Sequence, residues 1–240
     1  MTYCLGIALP CGLTLASDSR SNAGVDQITT VKKMALFEAP GERVIAVLSA
    51  GNLATTQAVV TTLRQANGTG QVGRDLMASN TMFDAAQVVG SVLREIIALD
   101  GQHVSAYGSA DATFLVGGQI SGEPPRIFQI YSAGNFVEAT PRNPFLQNGE
   151  TKYGKPILDR ALHADTTLRQ CAKLALLSFD ATIRSNLSVA PPIDLWSYQP
   201  DSFNTSGIRK YTSDHPYLTE LRKSYSEGLV ELVESLPDPH

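Results

Sequence analysis

Cysteine is scarce in this chain: three residues in 240, at Cys4, Cys11 and Cys171. The number is odd, no pair has C-x-x-C spacing, and no histidine lies close in sequence, which argues against a disulfide framework or a zinc site. Reduced thiols in a cytosolic protein fit better. No apolar run approaches the roughly 18 residues a membrane helix needs. The first residues lack the basic start, apolar core and small-residue cleavage site of a secretory signal. The expectation is a cytoplasmic chain with no membrane partner. Nineteen Lys and Arg against 23 Asp and Glu leave a net charge of -4, and the basic residues are scattered, so nothing marks a nucleic-acid-binding face.

Other absences narrow the chemistry. None of the four histidines belongs to an H-E-x-x-H array, and no G-x-S-x-G elbow anchors a serine triad. The stretch NGTGQVG contains Gly68-x-Gly70-x-x-Gly73, formally a dinucleotide spacing, but a helical pattern precedes it where a strand is required, so it reads as a helix–helix connection. No cofactor or metal is expected. Linkers, repeats and low-complexity stretches are missing too, and the length suffices to bury one large core, so a single domain over residues 1–240 is expected.

What is present is an orderly run of elements. Residues 2–9 and 13–17 read as a hairpin around Pro10-Cys11-Gly12, and MALFEA and RVIAVLSAG as a second hairpin around Pro40-Gly41-Glu42. A polar connection joins them from Asp18 to Lys33. Helical periodicity follows over residues 52–65, with Asn52 as N-cap and Ala54, Ala58, Val59 and Leu63 inward. It returns over about 82–99, with Phe83, Ala86, Val89, Val92, Leu93, Ile96 and Ile97 as the apolar stripe. Strand signals resume in ATFLVGGQI, RIFQIYSAG and NFVEATP, ahead of the glycine-bearing FLQNGETKYGKPIL. A long helix is expected over 166–186, a strand in PIDLWSY and a final helix over about 217–235. This order suits an α+β chain in which two antiparallel sheets stack and helices cover both outer faces.

Thr2 heads the first strand. A threonine hydroxyl becomes a nucleophile when a base stands beside it, and an N-terminal threonine carries that base as its own α-amine. The amine's reference pKa of about 7.7 to 8.0 lets a nearby ammonium leave much of it neutral near pH 7. Asp18 closes one strand and Lys33 opens another, so the two hairpins could bring both to Thr2 as a buried pair. From spacing alone, Asp18, Arg20, Lys32 and Lys33 read better as solvated loop charges than as such a pair.

The run T-x-x-x-G-I-x-x-x-x-G-L-T-L-A-S-D-S-R, with Lys33-Met34 and Ala50-Gly51 behind it, resembles the start of a proteasome β-type subunit. The SNAGVD, LQNGETKYGKPILDR and RSNLSVAPPIDL stretches resemble the bacterial Anbu branch, the ancestral β-subunit family. The resemblance implies an N-terminal-nucleophile hydrolase fold, a four-layer αββα sandwich of two antiparallel sheets. It further implies Thr2 as nucleophile, Asp18 and Lys33 as the charged pair, the Gly51 N–H as oxyanion donor and Asp180 as the acidic residue of the late helix. It implies a peptide or amide substrate and self-assembly into a ring or open spiral.

Departures from the family pattern accompany this. Lys33 stands one residue nearer the threonine than in proteasomes, which leaves Lys32 open beside it. Asn148-Gly149 replaces the proteasome's Ser-Gly pair, and Ile183 stands where a serine is expected, with Ser185 the nearest substitute. Only Met1 precedes Thr2, so the threonine is expected to be exposed by removal of that residue. A catalytically silent assembly protein and a hydrolase of some other amide bond are the competing readings.

Overall fold

The computed structural model describes residues 2–22 and 28–239, so Met1, residues 23–27 and His240, and with them most of the SNAGVD stretch, lie outside the described residues. The opening hairpin is β1 (Tyr3–Leu9) and β2 (Gly12–Asp18), with Cys4 opposite Ser17. The connection to the second hairpin contains a small ladder, β3 (Arg20–Asn22) with β4 (Ile28–Thr30). Then come β5 (Met34–Ala39) and β6 (Arg43–Gly51), helices α1 (Leu53–Ala66) and α2 (Met82–Val104), and strands β7 (Ala112–Ile120), β8 (Arg126–Ile130), β9 (Phe136–Glu138) and β10 (Phe145–Gly149). Helices α3 (Lys155–Ala161) and α4 (Leu168–Ser185) follow, then β11 (Ile193–Tyr198), β12 (Ile208–Tyr211) and α5 (Pro216–Ser235).

Two five-stranded antiparallel sheets result, in the orders β10-β1-β2-β11-β12 and β5-β6-β7-β8-β9. Three apolar clusters explain how they are held. Phe37, Ile45, Val47, Phe114 and Phe128 pack against Val59, Leu63, Val89 and Leu93 of α1 and α2. Leu5, Ile7, Ala16 and Leu195 pack against Leu158, Ala175, Leu176 and Phe179 of α3 and α4. Cys4, Leu13, Leu15 and Trp196 of one sheet meet Val44, Ala46, Leu48 and Leu115 of the other. Successive residues of a strand face opposite ways. Both faces of β6 are therefore buried, which is why RVIAVLSAG is almost wholly apolar instead of alternating.

The expected elements recur with a few differences. α2 runs to Val104, not about 99, because Gly101 stays inside it and its carbonyl accepts the Ser105 N–H. In α1, Ala54 is exposed while Thr55 and Thr56 are buried. Burial there is tolerable because the Thr56 hydroxyl donates to the Leu53 carbonyl at 3.0 Å. Phe83 sits at the edge of the α2 stripe, 42% exposed, with its ring 5.1 Å from Phe136 in an edge-to-face contact. Among the elements without a clear sequence signal are the β3–β4 ladder, inside what reads as a polar connection, α3, seven residues with no side-chain cap, and the short edge strand β12.

Candidate active site

Asp18 ends β2 fully buried, and its carboxylate gathers three donors. Lys33 Nζ lies 2.7 Å from Oδ1, the Tyr3 N–H donates to Oδ1 at 3.0 Å, and the Arg20 N–H donates to Oδ2 at 3.1 Å. Lys33, itself buried, also donates to the Arg20 carbonyl at 2.5 Å. Burial pushes the Asp18 carboxyl up from its usual range, against the opposing pull of Lys33 and the two backbone donors. The pair thus welds the start of β1 to the end of β2 and the start of β5. Lys32 is exposed, so of the two adjacent lysines Lys33 is the one that is buried and paired with Asp18.

Thr2 stands just ahead of Tyr3 and is half-buried. Its carbonyl accepts the Glu150 N–H at 2.8 Å. A Cβ at Gly149 would overlap that same carbonyl oxygen, and Gly149 has φ +79°. Glycine is required there so that the end of β10 can lie against the head of β1. Next to it Asn148 is buried, with Oδ1 accepting from Gln129 Nε2 at 2.7 Å and Nδ2 without a partner.

Gly51 closes β6. Along that strand the Ser49 N–H donates to the Lys33 carbonyl on the β5 side, and the Asn52 N–H donates to the Asp111 carbonyl on the β7 side. Backbone N–H groups alternate sides along a strand. The Gly51 N–H therefore points the same way as that of Ser49, beyond the point where β5 begins. A Cβ on Gly51 would overlap the Asp111 carbonyl, and its φ is +114°.

Thr2, Lys33 and Gly51 line one cavity of about 500 Å³, walled by residues 30–33 on one side and by α1 on the other. That volume is within the range of small-ligand sites, about 300 to 1,000 Å³. Ser49 contributes to the lining as well. The Cys4 thiol, one strand position behind Tyr3, donates to the Ser49 carbonyl at 3.6 Å, and burial pushes its pKa up. It is a poor thiolate source and offers no competing nucleophile.

Asp180 lies elsewhere. It is on α4, accepts from Arg222 Nε of α5 at 2.8 Å, and is not part of the cavity lining. Ile183 packs on the helix-side core and Ser185 is exposed. The serine of α4 that does reach the head of β1 is Ser178, whose hydroxyl is 2.6 Å from the Tyr3 hydroxyl, and Gln147 Nε2 donates to that hydroxyl at 2.6 Å. Burial raises the Tyr3 phenol to about 12. Sequence reading missed this cluster because Tyr3 is more than 140 positions from both Gln147 and Ser178. The Arg20-to-Asp18 bond had a readable sign, since an aspartate commonly accepts from the N–H two residues on. Among the described residues no group of His, Cys, Asp and Glu could hold a metal ion.

Two stacked antiparallel sheets, a threonine at the strand head, a buried Asp–Lys pair and a strand-end glycine beside one cavity define a protein of proteasome-like class. No protein-family model and no curated protein searched matches the chain. Solved structures do. Anbu, the ancestral beta-subunit, from Yersinia bercovieri is 47% identical over 99% of this chain and 98% of that one, with a TM-score of 0.93. An Anbu complex from Pseudomonas aeruginosa, described as a helical assembly, is 46% identical over 99% and 98%, TM-score 0.93. A mutant of Anbu from Hyphomicrobium sp. strain MC1 is 45% identical over the full length of both chains, TM-score 0.93. The chain belongs to the Anbu family of proteasome-like ancestral β-subunits.

Proposed function

We propose that this chain is a self-assembling threonine-type amide or peptide hydrolase whose nucleophile is Thr2 once Met1 has been removed. The observation that carries this is the buried Lys33–Asp18 pair at 2.7 Å, with Lys33 facing the cavity that Thr2 and Gly51 share. The proposal includes a single four-layer αββα domain of the N-terminal-nucleophile type over residues 1–240. It also includes a cytoplasmic location, supported by three free cysteines.

In this reading the neutral α-amine of Thr2 takes the Oγ proton as Oγ attacks the scissile carbonyl, and the carbonyl oxygen becomes an oxyanion that accepts the Gly51 N–H. One such donor contributes about 2.7 to 4 kcal/mol to lowering the barrier. Collapse breaks the C–N bond, the leaving amine takes the proton from the α-ammonium, and an ester on Thr2 remains. Water then attacks that ester, with the α-amine again as base, releasing the acid and restoring the Thr2 hydroxyl. Lys33, held by Asp18, disfavours the protonated α-amine by like charge, and Asp18 keeps Lys33 in place. Asp180 has a structural part here through Arg222, with no step assigned to it.

A chain that keeps Met1 has an amide where the base should be and should be inert. Intact-mass analysis of native protein should show loss of Met1. A threonine-directed electrophile should then label Thr2 in the wild type and not in Thr2→Ala, a change at a half-exposed position that the fold tolerates. The second reading, a silent scaffold, is favoured by the exposed apolar end of α5 (Leu229, Val230, Leu232, Val233). It takes over if processed protein labels nowhere and Thr2→Ala matches the wild type on every peptide.

A further inference from the structure

The cavity beside Thr2 is uneven in charge. Three cations line it, Lys32, Lys33 and Arg64, with no Asp or Glu among the described residues. Lys33 is already engaged by Asp18 and the Arg20 carbonyl. Lys32 is exposed and acts on the half-buried Asp194 of β11, whose carboxyl burial raises and Lys210 and Lys32 draw back down; Asp194 is outside the lining. Arg64, in the last turn of α1, is exposed, and its side chain makes no hydrogen bond or ion pair among the described residues.

The geometry aims that free guanidinium inward. Leu53, Thr56, Gln57, Val60 and Arg64 recur three and four positions apart, so the cavity follows one face of α1 from its first turn to its last. Three turns at about 1.5 Å per residue put the Cα of Arg64 about 16 Å from that of Leu53, at the far end from Thr2 and Gly51. Helical side chains lean toward the helix N-terminus, so the guanidinium reaches back along the groove toward the reacting end. Lys32 stands on the opposite wall. A cleft with cations on both walls and, among the described lining residues, no carboxylate focuses a field that favours one sign of substrate charge.

We propose that this cavity selects acyl groups bearing a carboxylate, so that the substrate is an acidic peptide or amide with a glutamyl-type side chain on the acyl side of the scissile bond. Its carboxylate pairs with the Arg64 guanidinium, whose planar fork matches two carboxylate oxygens, and lies within the field of Lys32. A lysyl side chain is rejected by like charge, and an apolar one leaves Arg64 without a partner. This rests on Thr2 marking the reacting end of the cavity.

The test separates binding from chemistry. Fluorescent tripeptide amides differing only in one residue, Glu, Gln or Lys, are titrated into Thr2→Ala protein and followed by anisotropy. The Glu peptide should bind at least about tenfold more tightly than the Gln peptide, with the Lys peptide weakest. Arg64→Gln should erase the Glu preference, while Lys223→Gln, a cation on α5 remote from the cavity, should leave it intact. Equal binding of Glu and Gln peptides, no measurable binding of the Glu peptide, or a preference that survives Arg64→Gln overturns the proposal. The same three residues are then built into threonine-directed electrophiles and offered to processed protein with Thr2 intact. Labelling of Thr2 in the order Glu, Gln, Lys supports both readings. Labelling without a Glu preference overturns the acidic pocket alone. Glu-selective binding with no labelling by any probe overturns the Thr2 chemistry and leaves the acidic pocket standing.

Discussion

At the scale of single residues, the Asp18–Lys33 pair is the feature whose removal has the clearest cost. Breaking a buried pair by deleting one partner leaves the other charge uncompensated, typically at about 3 to 5 kcal/mol. Lys33→Met should therefore lower the denaturant midpoint substantially, whereas Lys32→Met, at an exposed position, should leave it within about 0.5 kcal/mol. Equal midpoints for the two variants would contradict the pairing. Gly51 supplies a second contrast. Gly51→Ala adds a methyl where the Asp111 carbonyl stands and keeps a backbone angle that alanine resists, a cost of about 1 to 3 kcal/mol. It should also displace the N–H assigned to the oxyanion. Labelling by a threonine electrophile should fall by a larger factor than the stability loss alone explains.

At the scale of elements, the Gly68-x-Gly70-x-x-Gly73 connection between α1 and α2 turns out to hold an anion of its own. The carboxylate of Asp75 accepts the N–H groups of Gly68, Gly70 and Met77 at 3.0, 2.8 and 2.8 Å. The loop amides that a phosphate would use are already satisfied, in agreement with the reading of that motif as a connection. Burial pushes the Asp75 carboxyl up, but the three backbone donors and Arg43 outweigh it and hold it below its usual range. A carboxyl depressed in the folded state adds stability that is present above its unfolded value, about 3.9, and disappears as pH falls through the folded value. Urea midpoints measured downward from pH 5 should fall more steeply for the wild type than for Asp75→Asn. Parallel curves would mean that the loop does not depend on this charge.

At the scale of the whole molecule, the C-terminal half of α5 presents Leu229, Val230, Leu232 and Val233 to solvent, and Leu236 follows at its C-cap, each between 45% and 68% exposed. A contiguous apolar stripe of this kind marks a contact with another protein surface. A relative from Pseudomonas aeruginosa is described as a helical assembly, and the self-assembly proposed for this chain would set a second copy against the stripe. Light scattering across a concentration series should give a mass well above the 25.7 kDa of one chain. Leu232→Glu with Val233→Glu should shift it toward the monomer while leaving the circular dichroism unchanged. A wild type at monomer mass throughout would remove self-assembly from the proposal. Among the described residues no helix is long and apolar enough to cross a membrane, so a bilayer-spanning role for this stripe does not compete.

Local order was readable in the chain because its causes are local. Pro10-Cys11-Gly12 and Pro40-Gly41-Glu42 turn the two hairpins, Asn52 caps α1 by accepting the Thr55 N–H, and apolar recurrence marks α2 and α4. The resemblance to proteasome subunits drew attention to Thr2, Asp18, Lys33 and Gly51. Folding alone decided which of two adjacent lysines is buried, because successive residues at a strand entrance face opposite ways and only packing selects the face. It also set β10 beside β1, with Tyr3 opposite Gly149, which no local preference could specify across so long a separation. That pairing brings Asn148, Gly149 and Glu150 to Thr2, while the packing of α4 on the same sheet carries Ser178 to Tyr3 and leaves Asp180 facing Arg222. Side chains far apart in sequence meet only when both faces of each sheet are buried at once, and that burial is a property of the packed molecule, not of any segment.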